Sequence, residues 1–143
     1  MDERFAVVAG RFNEAVVARL VDGAVAYFER EGIGFDVTWV PGAFELPLAS
    51  KVVAETGRYA AVVCLGAVIR GETSHYDLVA GEAARGIMDV ALSTGLPVMF
   101  GVVTADTVAQ AMDRAGGKHG NKGWDAAAAA ADMARVMREM RRE

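Results

Sequence analysis

The sequence predicts a three-layer α/β sandwich: a four-stranded, mainly parallel sheet with helices on both faces, formed by one domain over residues 1–143. Three observations predict it. Short β-type apolar runs alternate with longer helical patterns four times. The third run, Ala60 to Leu65, is apolar throughout, as a strand covered on both faces requires. No linker or repeat interrupts the alternation, so each strand is expected to cross over to a parallel neighbour.

The elements follow in order. Phe5 to Ala9 is a compact apolar run ending at Gly10-Arg11-Phe12-Asn13. Asn13 is expected to cap the next helix, in which Val16, Val17, Leu20, Val21, Ala24 and Phe28 recur at helical spacing. Gly32 and Gly34 are expected to close it. A second strand, Phe35 to Val40, ends at Pro41-Gly42, and a helix through Leu46 to Glu55 tolerates Pro47 in its first turn.

After the third strand a polar loop is expected from Gly66 to Thr73, with Ser74 and Asp77 in capping-box spacing for a long helix to about Thr94. Pro97 to Val103 supplies the fourth strand. Thr107 and Gln110 repeat the capping-box spacing for a helix ending near Ala115, where Gly116-Gly117 breaks it. The last helix, Gly123 to about Met140, carries the run Ala126 to Ala131, which reads as helix propensity plus close packing.

With 53% hydrophobic and 24% charged residues, the chain belongs among globular rather than disordered proteins. No apolar stretch reaches the roughly 18 residues of a membrane span, and charged Asp2, Glu3 and Arg4 open the sequence, so a cytoplasmic protein without a secretion leader is expected. The lone cysteine, Cys64, lies in an apolar run and reads as a small buried hydrophobe in a reducing compartment. A net charge of −4 argues against a nucleic-acid surface. From Arg114 to Lys122, however, three cations and a histidine occur without an acid. Composition alone leaves a solvated loop and a local anion site both open.

In a parallel sheet, ligands sit beyond the carboxyl ends of the strands. Here those positions are Arg11 to Asn13, Pro41 to Glu45, Gly66 to His75 and Thr104 to Asp106. Gly10 stands alone before bulky Arg11 and Phe12, so the glycine-rich fingerprint of a dinucleotide site is absent. No Ser/Thr-rich phosphate loop occurs there, and Gly66 to Thr73 lacks the Gly-Lys-Ser/Thr ending of a P-loop. His75 and His119 have no cysteine or carboxylate cluster at ligand spacing, so no metal is expected.

His75, at a helix start, is either a surface or capping residue or a proton-transfer group beside N–H groups able to hold an anion. Trp39 and Phe44 fit either core or site, whereas Phe12, on a turn between polar neighbours, fits a ligand. Glu45 either complements a helix dipole or binds, and the two roles are compatible. Arg114 follows a helix expected to run about ten residues, roughly 15 Å, away from the strand ends. Arg114, Lys118 and mid-strand Phe100 can therefore serve the anion site of His75 only if they come from a neighbouring subunit.

Four segments carry a resemblance: Arg11-Phe12-Asn13; Trp39 to Glu45; Gly66 to Asp77; and Arg114 to Gly123. Together, in order and at the right separations, they resemble the signature segments of the 6,7-dimethyl-8-ribityllumazine synthase family, from about Phe5 to the end. The resemblance implies a flavodoxin-like topology and a cofactor-free, metal-free transferase of riboflavin biosynthesis. In that reaction 5-amino-6-(D-ribitylamino)uracil condenses with 3,4-dihydroxy-2-butanone 4-phosphate.

By similarity, Phe12 stacks on the pyrimidine, while Ala43, Phe44 and Glu45 hold the ribityl chain and nearby ring atoms. Ala67, Val68 and Ile69 border the heterocycle, Glu72 and Thr73 present the phosphate site, and His75 transfers protons. Phe100 and Arg114 come from the adjacent subunit, with Lys118 and Lys122 as further candidates for the charged region. The family also implies homopentamers, icosahedral shells in some members, and association with riboflavin synthase as an open possibility. Two rival readings are an archaeal-type riboflavin synthase sharing the fold and a non-catalytic flavin carrier or shell protein. The combination of His75, Arg114 and Glu45 argues against the second.

Overall fold

In a computed structural model, which describes residues 3–72 and 75–142, four strands form one parallel sheet. They are β1 (Arg4–Gly10), β2 (Gly34–Val40), β3 (Ala61–Ile69) and β4 (Val98–Ala105), in the order β2-β1-β3-β4. Five helices connect and cover them: α1 (Glu14–Glu31), α2 (Leu46–Glu55), α3 (Tyr76–Thr94), α4 (Val108–Asp113) and α5 (Lys122–Arg141). The expected three-layer sandwich is what forms.

The period of two in β1 and β3 divides the core. Phe5, Val7 and Ala9 of β1, with Val63, Leu65 and Ala67 of β3, pack against Leu20 and Phe28 of α1 and Ala127 and Ala130 of α5. Their neighbours Ala6, Val8, Val62 and Cys64 face the other way, onto Leu46 of α2 and Ala83 and Ile87 of α3. Burying one such Leu, Ile or Phe side chain stabilises by about 1.5–3 kcal/mol. Cys64 behaves as the small hydrophobe expected. Burial pushes its thiol up to about 12, with a Ser50 hydrogen bond opposing, so it stays protonated.

Close packing explains the alanine run. Ala126, Ala127, Ala130 and Ala134 form the buried face of α5. A Cβ on Gly123 would lie 1.8 Å from the Leu20 carbonyl oxygen, so only glycine lets α5 start so near α1. Asn121 caps α5, accepting from the N–H groups of Gly123 at 2.7 Å and Trp124 at 3.1 Å.

Several expectations need correction. β3 does not stop at Leu65: the expected polar loop from Gly66 begins instead with four more buried strand residues, Gly66 to Ile69. They pair with Val102 to Ala105, so β4 is longer too. Gly66 serves as a gap, leaving room for the side chains of Leu46, Ala43 and Val102. Gly32 does close α1 in the left-handed region, but Gly34 is already the first residue of β2.

Thr107 accepts from the Gln110 N–H as expected, whereas the Gln110 side chain accepts from Asp106 rather than from the cap residue. α4 spans six residues, not about ten. The chain then turns through Gly116 (φ 99°) into a small antiparallel hairpin, β5 (Ala115–Gly117) and β6 (Gly120–Asn121), which the glycine pair alone did not reveal. Ser74 of the expected Ser74/Asp77 box lies outside the described residues. The cap position of α3 is His75, whose carbonyl accepts from the Val79 N–H at 2.9 Å.

Candidate active site

The strand order fixes where a site can lie. β1 leads through α1 to β2 on one side, and β2 leads through α2 to β3 on the other, so the two helices cover opposite faces. A crevice opens at the carboxyl ends of β1 and β3, where the winding reverses. A hollow of about 370 Å³ occupies this position.

Its walls come from three chain segments. Phe12 and Asn13 follow β1, Pro41 to Glu45 follow β2, and Ala67, Val68 and Ile69 end β3, with Val79 of α3 closing the lining. The two β1 and β2 turns touch through main chain. Arg11 N–H donates to the Val40 carbonyl at 2.7 Å, and Phe12 N–H to Pro41 at 2.9 Å. A Cβ on Gly10 would meet the Gly42 backbone at 2.8 Å, so the lone glycine of this turn brings two loops together rather than a pyrophosphate.

Seven of the expected site residues therefore share one hollow: Phe12, Ala43, Phe44, Glu45, Ala67, Val68 and Ile69. Phe12 is 60% and Phe44 57% exposed, two large aromatics that the core does not cover. Trp39 is half-buried against the core, with the Arg11 guanidinium 5.3 Å from its ring centroid. Glu45 is half-buried at the end of a 3₁₀ turn, Ala43–Glu45. His75 sits one helical turn before Val79, at the exposed start of α3. Glu72 ends a second 3₁₀ turn, Arg70–Glu72, and Thr73 lies outside the described residues.

Phe100 and Arg114 line a different hollow, of about 560 Å³, along β4 and the start of α5. Phe100 is 44% exposed on this strand, which ends the sheet. Lys122 and Asp125 share the lining. The hairpin holds Arg114 in place: His119 N–H donates to the Asp113 carbonyl and Lys122 N–H to that of Arg114, each at 2.8 Å. Lys118 is exposed at the hairpin turn, outside both linings.

Asn13, Pro41, Gly42 and Val79 line the first hollow without having been singled out as site residues. For the first three the signal was available, since they lie just past strands. Asn13 was instead read as a helix cap. It does occupy the cap position of α1, but its backbone is left-handed (φ 64°, ψ 46°) and its side chain makes no cap bond. The Asn13 Nδ2 donates to the Ala67 carbonyl at 3.1 Å.

Fold and hollow together define an α/β protein of the doubly wound kind with a concave hollow at its switch point. The chain belongs to the 6,7-dimethyl-8-ribityllumazine synthase family, whose model matches residues 2–138. It is thus a member of a transferase family of riboflavin biosynthesis. Among solved structures it is similar to a diflavin flavoprotein A3 from Nostoc sp., at 12% identity over 99% of each chain and a TM-score of 0.44. Among the described residues, no helix is long and apolar enough to cross a membrane.

Proposed function

We propose that the protein condenses 5-amino-6-(D-ribitylamino)uracil with 3,4-dihydroxy-2-butanone 4-phosphate to give 6,7-dimethyl-8-ribityllumazine, with release of phosphate and water, in the cytoplasm. The amine attacks the ketone and water leaves as the imine forms. Phosphate is then eliminated, and ring closure expels a second water. One observation carries this reading: the family match spans residues 2–138, and seven residues assigned to the ribitylaminouracil by resemblance line one hollow at the switch point.

The residues suit the chemistry. Phe12 offers an exposed ring for stacking on a flat pyrimidine. Glu45 is a hydrogen-bond acceptor for ribityl hydroxyls, and the backbone groups of Ala67 to Ile69 can read ring edges. His75 supplies an imidazole for proton transfer near neutral pH, and Glu72 and Thr73 are the residues assigned to the phosphate by resemblance. Holding two reactants together is itself worth about 7–11 kcal/mol at best.

The leaving phosphate needs a fixed cation, for which arginine's planar fork suits best. Arg114 and Phe100 share a hollow that the first set of residues does not line. That separation supports an active site completed by the adjacent subunit of a homopentamer, with Arg114 on the phosphate and Lys118 and Lys122 in the same charged region.

One assay tests the reading. Purified protein is mixed with both substrates and followed by lumazine absorbance and fluorescence, then supplied with lumazine alone. Lumazine formation is expected. Riboflavin formation from lumazine alone would indicate the synthase sharing the fold, and no turnover in either arm a carrier. Light scattering checks the assembly, and a monomer that is fully active would contradict the shared site.

A further inference from the structure

We propose that Asn13 is a positioning residue: its left-handed backbone and its side-chain tie to β3 together hold Phe12 over the hollow. The inference rests on the reading of this hollow as the ribitylaminouracil site. Its starting point is that Phe12 is 60% exposed. A ring with so little packing around it is placed by its main chain, not by its neighbours. What fixes the main chain at residues 11–13 therefore fixes the ring.

Three sets of bonds do so. Arg11 and Phe12 are tied to the end of β2 by the two backbone hydrogen bonds described above. The Asn13 carbonyl starts α1, accepting from Val16 N–H at 3.0 Å and Val17 N–H at 3.1 Å. The Asn13 side chain reaches the other way, across 54 residues of sequence, to the Ala67 carbonyl. One tripeptide thus links the carboxyl ends of β1, β2 and β3.

Two features show that this is not ordinary helix capping. A capping asparagine usually has extended φ and ψ and accepts from the helix N–H groups. Asn13 is instead the only non-glycine residue at positive φ among those described, a conformation that asparagine tolerates better than most side chains. Its amide also acts as donor. The β1–β3 ladder ends at Ala9–Leu65, so Ala67 lies past the reach of β1 backbone. The Asn13 amide supplies the donor there, in a part-buried position where an unmet carbonyl is costly. The bond joins two walls of the pocket, since Ala67 borders it as well.

The test uses Asn13→Gly, which keeps the left-handed turn but removes the tie, and Asn13→Asp, which keeps size and turn but sets an acceptor against the carbonyl. Steady-state kinetics are measured for both substrates, with melting curves, in the full assembled protein. For Asn13→Gly the KM for ribitylaminouracil is expected to rise about tenfold, the worth of one hydrogen bond, while that for the butanone phosphate changes by less than about twofold. Asn13→Asp should be at least as impaired.

Adding Asn13→Gly to Phe12→Ala should cost little beyond Phe12→Ala alone, because both act through the same ring. A merely structural role would shift melting and leave the two effects additive. Additive effects, or an unchanged KM for ribitylaminouracil in an active enzyme, overturn this inference alone. Absence of lumazine formation by the wild type overturns the functional reading, and this inference with it.

Discussion

Arg70 reaches from the end of β3 to Asp106 beyond β4, its Nε donating to Oδ1 at 2.9 Å. The same guanidinium lies 4.4 Å from the ring centroid of Tyr76, the first residue of α3. One side chain thus links the end of β3 to Asp106 and to Tyr76, the neighbour of His75. Because the pair is exposed, Arg70→Gln should leave the urea midpoint nearly unchanged. It should nonetheless lower kcat several-fold, on the order of the loss expected for slight misplacement of a reacting group. An unchanged kcat would show that the clamp has no bearing on turnover.

His75→Ala should slow lumazine formation by no more than about 100-fold, the low end of general acid–base catalysis. Much of the rate is expected to come from holding the two reactants together. Complete loss of turnover, with folding and ribitylaminouracil binding intact, would contradict that division.

Gly123→Ala should destabilise the protein by about 3 kcal/mol or more, because its Cβ would meet the Leu20 backbone and neither helix can shift without opening the core. Asn121→Ala removes the cap of α5 and the bond from Nδ2 to the Arg19 carbonyl, and should cost about 1–2 kcal/mol. Urea midpoints for the two variants give the order, and a milder Gly123→Ala would show that the helices separate easily.

The stability of the sheet's amino-terminal edge should depend on pH at both extremes. Hydrogen bonds from Arg4 and then Tyr59 hold the Asp36 carboxyl below its ordinary value, and the bond to Asp36 holds the Tyr59 phenol above its own. The Asp36 contribution is present above its unfolded value and lost as pH falls through the lowered one. The Tyr59 contribution is present below its unfolded value and lost as pH rises through the raised one. Melting curves of wild type and Asp36→Asn should therefore differ most near neutrality, converge as pH falls, and draw only partly together at alkaline pH, where the Tyr59 bond is lost but the Arg4–Asp36 pair remains. A constant gap across pH would contradict the linkage.

The helices were legible because their apolar stripes are long, as Val16 to Phe28 illustrates. Strand ends were not. Gly66 read as a terminator, since a missing side chain signals a turn in one dimension. In three dimensions it makes room for Leu46. The hairpin after α4 was hidden for a similar reason, as Gly116-Gly117 breaks a helix equally well whether or not a strand pair follows. Phe12, Ala43 to Glu45 and Ala67 to Ile69, expected at the carboxyl edge of the sheet, line one hollow there. The separation of Phe100 and Arg114 from them was also foreseen, though partly from a helix drawn too long. Asn13 is legible as the cap position of α1 but not as a tether to β3, because its identity allows both roles. Only the position of Ala67, far along the chain, decides between them.

The contact of Gly123 with Leu20 also bears on how the chain is made. The roof over β1 and β3 on the α1 side needs α5, which is synthesised after every strand of the sheet. A nascent chain can wind α1 and pair its first strands early, yet that face of the sheet stays wet until α5 has left the ribosome. Losing the last few turns of α5 should therefore trap newly made chains with an apolar sheet uncovered, so that aggregation in cells precedes any detectable loss of catalysis.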